Sequence, residues 1–243
     1  MSGHDNRRRR RRQEGGITRR EVVVVVLLLV VVGLIAVPML IKQREGNARL
    51  ASLNNLQQWG IAFNLFLIEN DNRLPQVGME MTGEPNLFAW YNALPVYLSQ
   101  RPLGEMAAEE RPRPGRVGLW KDPAAREADF GSPGDFWFAY GMNRWLQPDP
   151  ARASYKIYEI ADPGATVFLA ETASRTPGIF PPDVRFRHVH PRSGEQAAQV
   201  LFCDGHAAAV GRRDLVEAPG LDDPQQPLAP ITWIPFFQAP RPK

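Results

Sequence analysis

The spacing of apolar and polar positions changes rhythm along the chain. From Val22 to Ile41 twenty consecutive residues carry no charge, and valine and leucine dominate the run. At about 1.5 Å per residue such a run covers the ~30 Å hydrocarbon core of a bilayer. The β-branched valines would favour a strand in water. In lipid the backbone must satisfy its own hydrogen bonds, so a helix is expected. Gly33 and Pro38 are tolerated in a membrane helix, with Pro38 predicting a kink or local melting. After Lys42 the rhythm becomes amphipathic. Leu53, Leu56, Gly60, Phe63 and Leu67 fall on one stripe at spacings of three and four, with Gln57, Gln58 and Asn64 on the other side. "NDNRLP" stops the helix near Asp71. A single helix from Val22 to Glu69 would run roughly 70 Å.

Beyond it the period shortens. "KIYEI" (156–160), "TVFLAE" (166–171), "VRFRHV" (184–189), "QVLFC" (199–203), "HAAAV" (206–210) and "TWIPF" (232–236) read as strands. Asp204-Gly205 between two apolar runs predicts a tight type I′ hairpin, which needs positive φ. Residues 101–135 and 217–230 are rich in proline, glycine and charge and read as surface excursions, and there is no internal repeat. The expected organisation is a basic leader (1–16), a transmembrane helix (17–41), its amphipathic continuation (42–70) and an extracytoplasmic globular domain (71–243) with a long loop at 101–135. The fold class is α+β: a long N-terminal helix packed on a small antiparallel β-sheet domain with long Pro/Gly-rich loops.

Composition adds limits. The chain has 243 residues, and its 44% hydrophobic content allows a core, while 23 prolines and 20 glycines imply long irregular connections. An isoelectric point near 9.2 first suggests a nucleic-acid binder. Residues 1–16 hold six arginines (Arg7 to Arg12) against Asp5 and Glu14, a net of +4, whereas 17–243 carry a net of −1. The excess positive charge belongs to the leader, so the body has no net attraction for phosphate. A basic block before an apolar run orients a membrane helix instead: the arginines at 7–12, 19 and 20 hold the N-terminus in the cytoplasm. A cleaved secretory signal would have an apolar region of about 7–15 residues and a small-x-small site. This run is longer and continues into "KQREGNARL", so a retained anchor is expected. The single cysteine, Cys203, excludes an internal disulfide framework and reads as a small buried hydrophobe.

"GGITRRE" followed by the apolar helix resembles the N-terminal signal of type IV pilins and type II secretion pseudopilins. The resemblance implies that a prepilin peptidase cuts after Gly16 on the cytoplasmic side and methylates Ile17. Counted from Ile17, Thr18 is second, Glu21 fifth and Pro38 twenty-second, in register with that family's pattern. Arg19 and Arg20 depart from its usual apolar third and fourth positions. The family role implied for Glu21 is pairing with the N-terminal amine of a neighbouring subunit during assembly. A carboxylate at a membrane helix is costly unless paired, and the plainer reading is an interfacial Glu favoured by the helix macrodipole. Near the other end, "RHVHPRSGEQAAQVLFCDGHAAAV" resembles the C-terminal signature of H-X9-DG prepilin-type proteins, abundant in planctomycetes and verrucomicrobia. Thirteen residues lie between His190 and Asp204 and fifteen between His188 and Asp204, so either histidine can stand for the family one, together with Asp204, Gly205 and His206. "FAYGMN" (138–143), "LAET" (169–172) and "LWKDP", with Asp122 in place of a cysteine, also resemble that group. The resemblance covers both ends, while 78–135 matches only loosely.

His188, His190, Asp204 and His206 offer a His-x-His plus Asp-x-His set that zinc can use in principle. The turn explains Asp204, and the two histidines share one strand face, so structural or surface roles are expected, with no cofactor. Trp90, Tyr91, Trp120, Phe136, Trp137, Phe138, Tyr140 and Trp145 are expected to pack the domain. No nucleophile elbow, P-loop or catalytic dyad is present, so no enzyme is expected. The resemblance implies a pseudopilin-like structural subunit of the bacterial inner membrane with a periplasmic C-terminal domain. Its partners would be prepilin peptidase, other pilin-like subunits and a secretion platform, and no nucleic acid. The alternative is a single-pass anchored, extracytoplasmic metal-dependent enzyme or ligand-binding module. A carbohydrate binder using the tryptophans is a third reading.

Overall fold

The computed structural model describes residues 19–79, 86–107, 109–111, 118–126, 129, 138–148, 154–217 and 231–235, leaving aside the side chains of Arg20, Glu21 and Glu217. The leader, Gly16, Ile17, Thr18, the Glu21 side chain, Phe136, Trp137 and much of 101–135 and 217–230 lie outside the described residues. The chain divides into two compact units, Met1–Arg44 and Glu45–Lys243.

In the first unit the apolar run is helical throughout. The helix α1 is Arg19–Glu69 and contains Pro38 without interruption, so the local melting expected there does not occur. Every large apolar side chain from Val22 to Ile41 is exposed. An 18-residue window of this helix is long and apolar enough to cross a membrane, and none of it is buried inside the protein. An aqueous surface does not sustain an uninterrupted apolar face of this size.

In the second unit α1 carries one wall of the core. Leu56, Gly60, Phe63 and Leu67 are buried as the stripe predicts, but Leu53 is only half-buried. The buried side is centred on Ser52, Leu56, Trp59, Phe63 and Phe66. The helix stops where Asp71 and Asn72 take positive φ (55° and 58°), and the Asn72 amide reaches back to the Leu67 carbonyl at 2.9 Å. Short polar side chains tolerate that left-handed conformation.

A short helix α2 (Trp90–Ala93) follows, and then six strands: β1 (Phe138–Asn143), β2 (Val167–Ser174), β3 (Gly178–Ile179), β4 (His188–Val189), β5 (Gln196–Phe202) and β6 (Ala207–Gly211). The order is β3-β1-β2-β5-β4, with β6 also on β5; all pairings are antiparallel except β1 with β3. Three expectations fail. "KIYEI" is a 3-10 turn at Ile157–Glu159, "TWIPF" contributes only a bridge at Thr232, and "FAYGMN", read only as a motif, is a fully buried strand.

The hairpin between β5 and β6 also differs from the predicted type I′. Leu201 pairs with Ala207, the Phe202 amide donates to the His206 carbonyl, and Gly205 donates to the Phe202 carbonyl at 3.0 Å. Three residues therefore form the loop, and only Gly205 has positive φ (90°). This is the turn-plus-bulge hairpin that a glycine in third place permits.

The sheet separates two apolar clusters. Leu56, Trp59, Phe63, Phe66, Trp90, Tyr140, Leu169 and Leu201 pack in one. Val167, Ala170, Ala198, Val200, Phe202 and Trp233 pack in the other. Trp59 lies edge-on to Trp90 (5.7 Å) and Trp120 (5.0 Å), and Phe63 stacks on Phe168 at 4.1 Å. The described aromatics thus serve packing, as their edge-to-face geometry indicates.

Candidate functional site: a buried polar cluster under the helix

Strand β5 has two edges. Strand β6 occupies one along Ala197 to Leu201, so β2 and β4 share the other, β2 against Val200 and Phe202 and β4 against Gln196 and Ala197. At the junction of the two, Glu171 near the middle of β2 meets His188 at the start of β4. The β2–β5 register sets Gln199 directly opposite Glu171. Leu169 and Leu201, two residues away on each strand, belong to the α1-side cluster. Side chains alternate along a strand, so Glu171 and Gln199 point to that same side. Ser52 descends on them from α1, and Asp122 enters from the loop 118–126.

These residues are buried and closely bonded. His188 Nε2 lies 2.9 Å from Glu171 Oε1 and 3.6 Å from Asp122 Oδ1. The Ser52 hydroxyl donates to Glu171 Oε1 in a very short hydrogen bond and contacts the Tyr140 hydroxyl at 3.0 Å. The Gln199 backbone amide donates to Glu171 Oε2 at 2.9 Å, and Tyr140 donates to the Lys121 carbonyl at 2.9 Å. Arg187 donates to Asp122 Oδ2 at 2.8 Å, Asp129 Oδ2 at 3.0 Å and the Thr172 carbonyl at 3.1 Å.

Electrostatics follow from burial and neighbours. Burial pushes the Glu171 carboxyl up, the charge of Asp122 adds to this, and His188 and Ser52 only partly offset it. For His188, burial opposes the charge, but hydrogen bonds to Asp122 and Glu171 and their charges outweigh it, lifting the imidazole to about 9. Burial raises the Tyr140 phenol well above its ordinary value, helped by the Asp122 and Glu171 charges. Asp122, Glu171, His188 and Arg187 therefore meet in one buried cluster, tying α1, β2, β4 and the 118–126 loop together. Such a cluster is structural in character, because breaking it strands a buried charge.

The residues singled out in the sequence divide. His188 is in the cluster. His190 is half-buried and caps the turn after β4, accepting at Nδ1 from the Ser193 amide at 3.1 Å. Asp204 accepts from the His206 amide at 3.0 Å and the His206 ring nitrogen at 2.6 Å, and that exposed ring stacks on Phe202 at 4.4 Å. Gly205 lies against α1, where an added Cβ would meet the Asn64 side chain. Among the described residues, the group whose ligand atoms converge is Asp122, Glu171 and His188, so of the predicted metal candidates it contains only His188.

Sequence reasoning missed Ser52, Glu171, Arg187 and Gln199 as site residues. One signal was available: an acid inside the apolar strand "VFLAETA" and an amide inside "AAQVLF" are both out of place unless something inside pairs with them. Cys203 is buried, as expected, and burial raises its thiol well above the ordinary value. Comparison with known proteins gave no matching family model, no significantly similar curated protein and no significantly similar solved structure.

Proposed function

We propose that this chain is a pilin-like structural subunit, anchored by α1 in the bacterial inner membrane and assembled into a pseudopilus of a type II secretion-like system. The observation that carries the reading is how α1 divides its labour. Its large apolar side chains from Val22 to Ile41 are exposed, while Trp59, Phe63 and Phe66 of the same helix are core residues of the second unit. A cleaved signal has no reason to continue into a domain's core, whereas an assembling subunit needs an anchor continuous with its folded part. The register of Gly16, Thr18, Glu21 and Pro38 adds the processing step. Prepilin peptidase would cut after Gly16 and methylate Ile17, leaving Glu21 near the new N-terminus, where a neighbour's amine can neutralise it. The role is structural rather than enzymatic, and the partners are prepilin peptidase, other pilin-like subunits and a secretion platform.

Mass spectrometry of the chain expressed in membranes with and without a prepilin peptidase tests this. The expected product begins at methylated Ile17 and appears only with the peptidase. An intact leader in its presence, or a cut after Ile41, overturns the reading.

A further inference from the structure

Gln199 has a side chain without employment. It is fully buried, and neither its carboxamide oxygen nor its nitrogen has a hydrogen-bond partner among the described residues. Buried amides are rarely left so, because losing water without a replacement partner is costly. The register sets Gln199 opposite Glu171 on the side of the sheet that faces Ser52. On that side Asp122, Glu171 and His188 each offer a ligand atom, and these atoms all lie within 4.8 Å of one another. Zinc bonds of about 2.0–2.1 Å give a tetrahedral edge of roughly 3.3 Å between ligand atoms. The observed separations from His188 Nε2 are 2.9 Å to Glu171 and 3.6 Å to Asp122, on either side of that edge.

We propose that Asp122, Glu171, His188 and the carboxamide oxygen of Gln199 form a binding site for one zinc ion.

The supporting shell is in place. Arg187 holds Asp122 by Oδ2 and leaves Oδ1 toward His188, while Ser52 and the Gln199 amide hold the two oxygens of Glu171. Partners of this kind fix ligand orientation and tune affinity. The ligand set favours zinc over calcium or magnesium, because hard cations need six or more oxygens and gain little from an imidazole. A cavity of about 520 Å³ on the α1 flank is lined by Asn55, Gln58, Lys121 and, of the four ligands, Asp122. The four ligands and their supports belong to the second unit, so the site does not depend on what the first unit does.

The test uses the full chain in detergent micelles, without a polyhistidine tag, stripped with chelator and then titrated with zinc sulfate alone. Elemental analysis after desalting is expected to give one zinc per chain, with X-ray absorption showing nitrogen and oxygen scatterers at about 2.0–2.2 Å. Zinc should also raise the unfolding temperature, because it binds only the folded state. His188→Ala should abolish retention. Because His188→Ala also breaks a buried ion pair, Gln199→Ala and Ser52→Ala serve alongside it, each expected to weaken binding by about 10–100-fold while circular dichroism stays native. His190→Ala and His206→Ala should leave binding unchanged. A folded wild-type chain that retains no zinc overturns the proposal. So does zinc that is undiminished in Gln199→Ala and Ser52→Ala, or that is lost in His206→Ala.

Discussion

Gly60 offers the sharpest test of how α1 lies on the sheet. A glycine in mid-helix is a local penalty, and replacing it by alanine in an open position stabilises a helix by about 1 kcal/mol. Gly46, in the same helix, is such a position: an added Cβ there meets nothing within 4 Å. At Gly60 the added Cβ falls against the Gly205 carbonyl oxygen, well inside any tolerated contact, and 3.0 Å from Leu201 Cδ1. The obstructing atom is backbone in a turn whose neighbouring amides are bonded to the Thr166 and Pro163 carbonyls, at 2.9 and 3.1 Å, so it cannot swing away. Overpacking of this kind costs about 1–3 kcal/mol, more than the propensity gain. The two substitutions should therefore have opposite signs. Gly46→Ala should raise the melting temperature by about 2–4 °C, and Gly60→Ala should lower it by a similar or larger amount. Tryptophan fluorescence of the detergent-solubilised chain is the assay, because all six tryptophans lie at or after Trp59 and report on the second unit. If Gly60→Ala proves as stabilising as Gly46→Ala, the helix does not touch the Asp204-Gly205 turn and the packing argued above is wrong.

The buried cluster yields a pH prediction for the metal-free chain. The folded His188 value of about 9 lies above the ordinary 6.5. Its contribution is therefore complete below about pH 6.5 and is lost as pH rises through about 9, a loss on the order of 3 kcal/mol. Glu171, whose carboxyl is also raised, acts in the same direction. Urea midpoints measured from pH 6 to 9.5 should fall, and a flat profile would show that the histidine is not held between these carboxylates. Glu171→Ala strands His188 and should cost about 3–5 kcal/mol by denaturant titration, whereas substitution of the exposed Glu69 should change little. Asn143→Ala removes bonds to the Val167 carbonyl (2.9 Å), the Trp233 carbonyl (2.7 Å) and the Trp145 amide (3.1 Å). Leaving those buried groups without partners should cost about 2–4 kcal/mol in the same titration.

What was legible in the sequence was local. A twenty-residue uncharged run and a stripe at helical spacing are short-range patterns, so α1 could be drawn almost to its last residue. The end at Asp71 and Asn72 was readable for the same reason, since the side chains that permit the turn are the residues that make it. Strands were readable where an apolar run is continuous, as in "VFLA" of β2 and "VLF" of β5. Two-residue β4 was overdrawn, and β1 was overlooked because Gly141 and Asn143 interrupt the apolar run of "FAYGMN".

The cluster was illegible because its members meet only through the fold. Ser52 and Glu171 are 119 positions apart, Arg187 and Asp122 are 65, and even Glu171 and His188 are 17. No short window of sequence holds both partners of one of these bonds, and their convergence depends on β2 and β4 sharing one edge of β5. What a single sequence does display is residues that disobey their surroundings: an acid in an apolar strand and an amide in the strand opposite it. Each looks like a defect when met alone. Together with Asp122 they are mutually dependent, since an alanine at 122 would take from Arg187 its buried carboxylate partner, and an alanine at 171 would take from His188 its closer one. Asp122 is thus the residue that allows an arginine side chain to be buried beside β4.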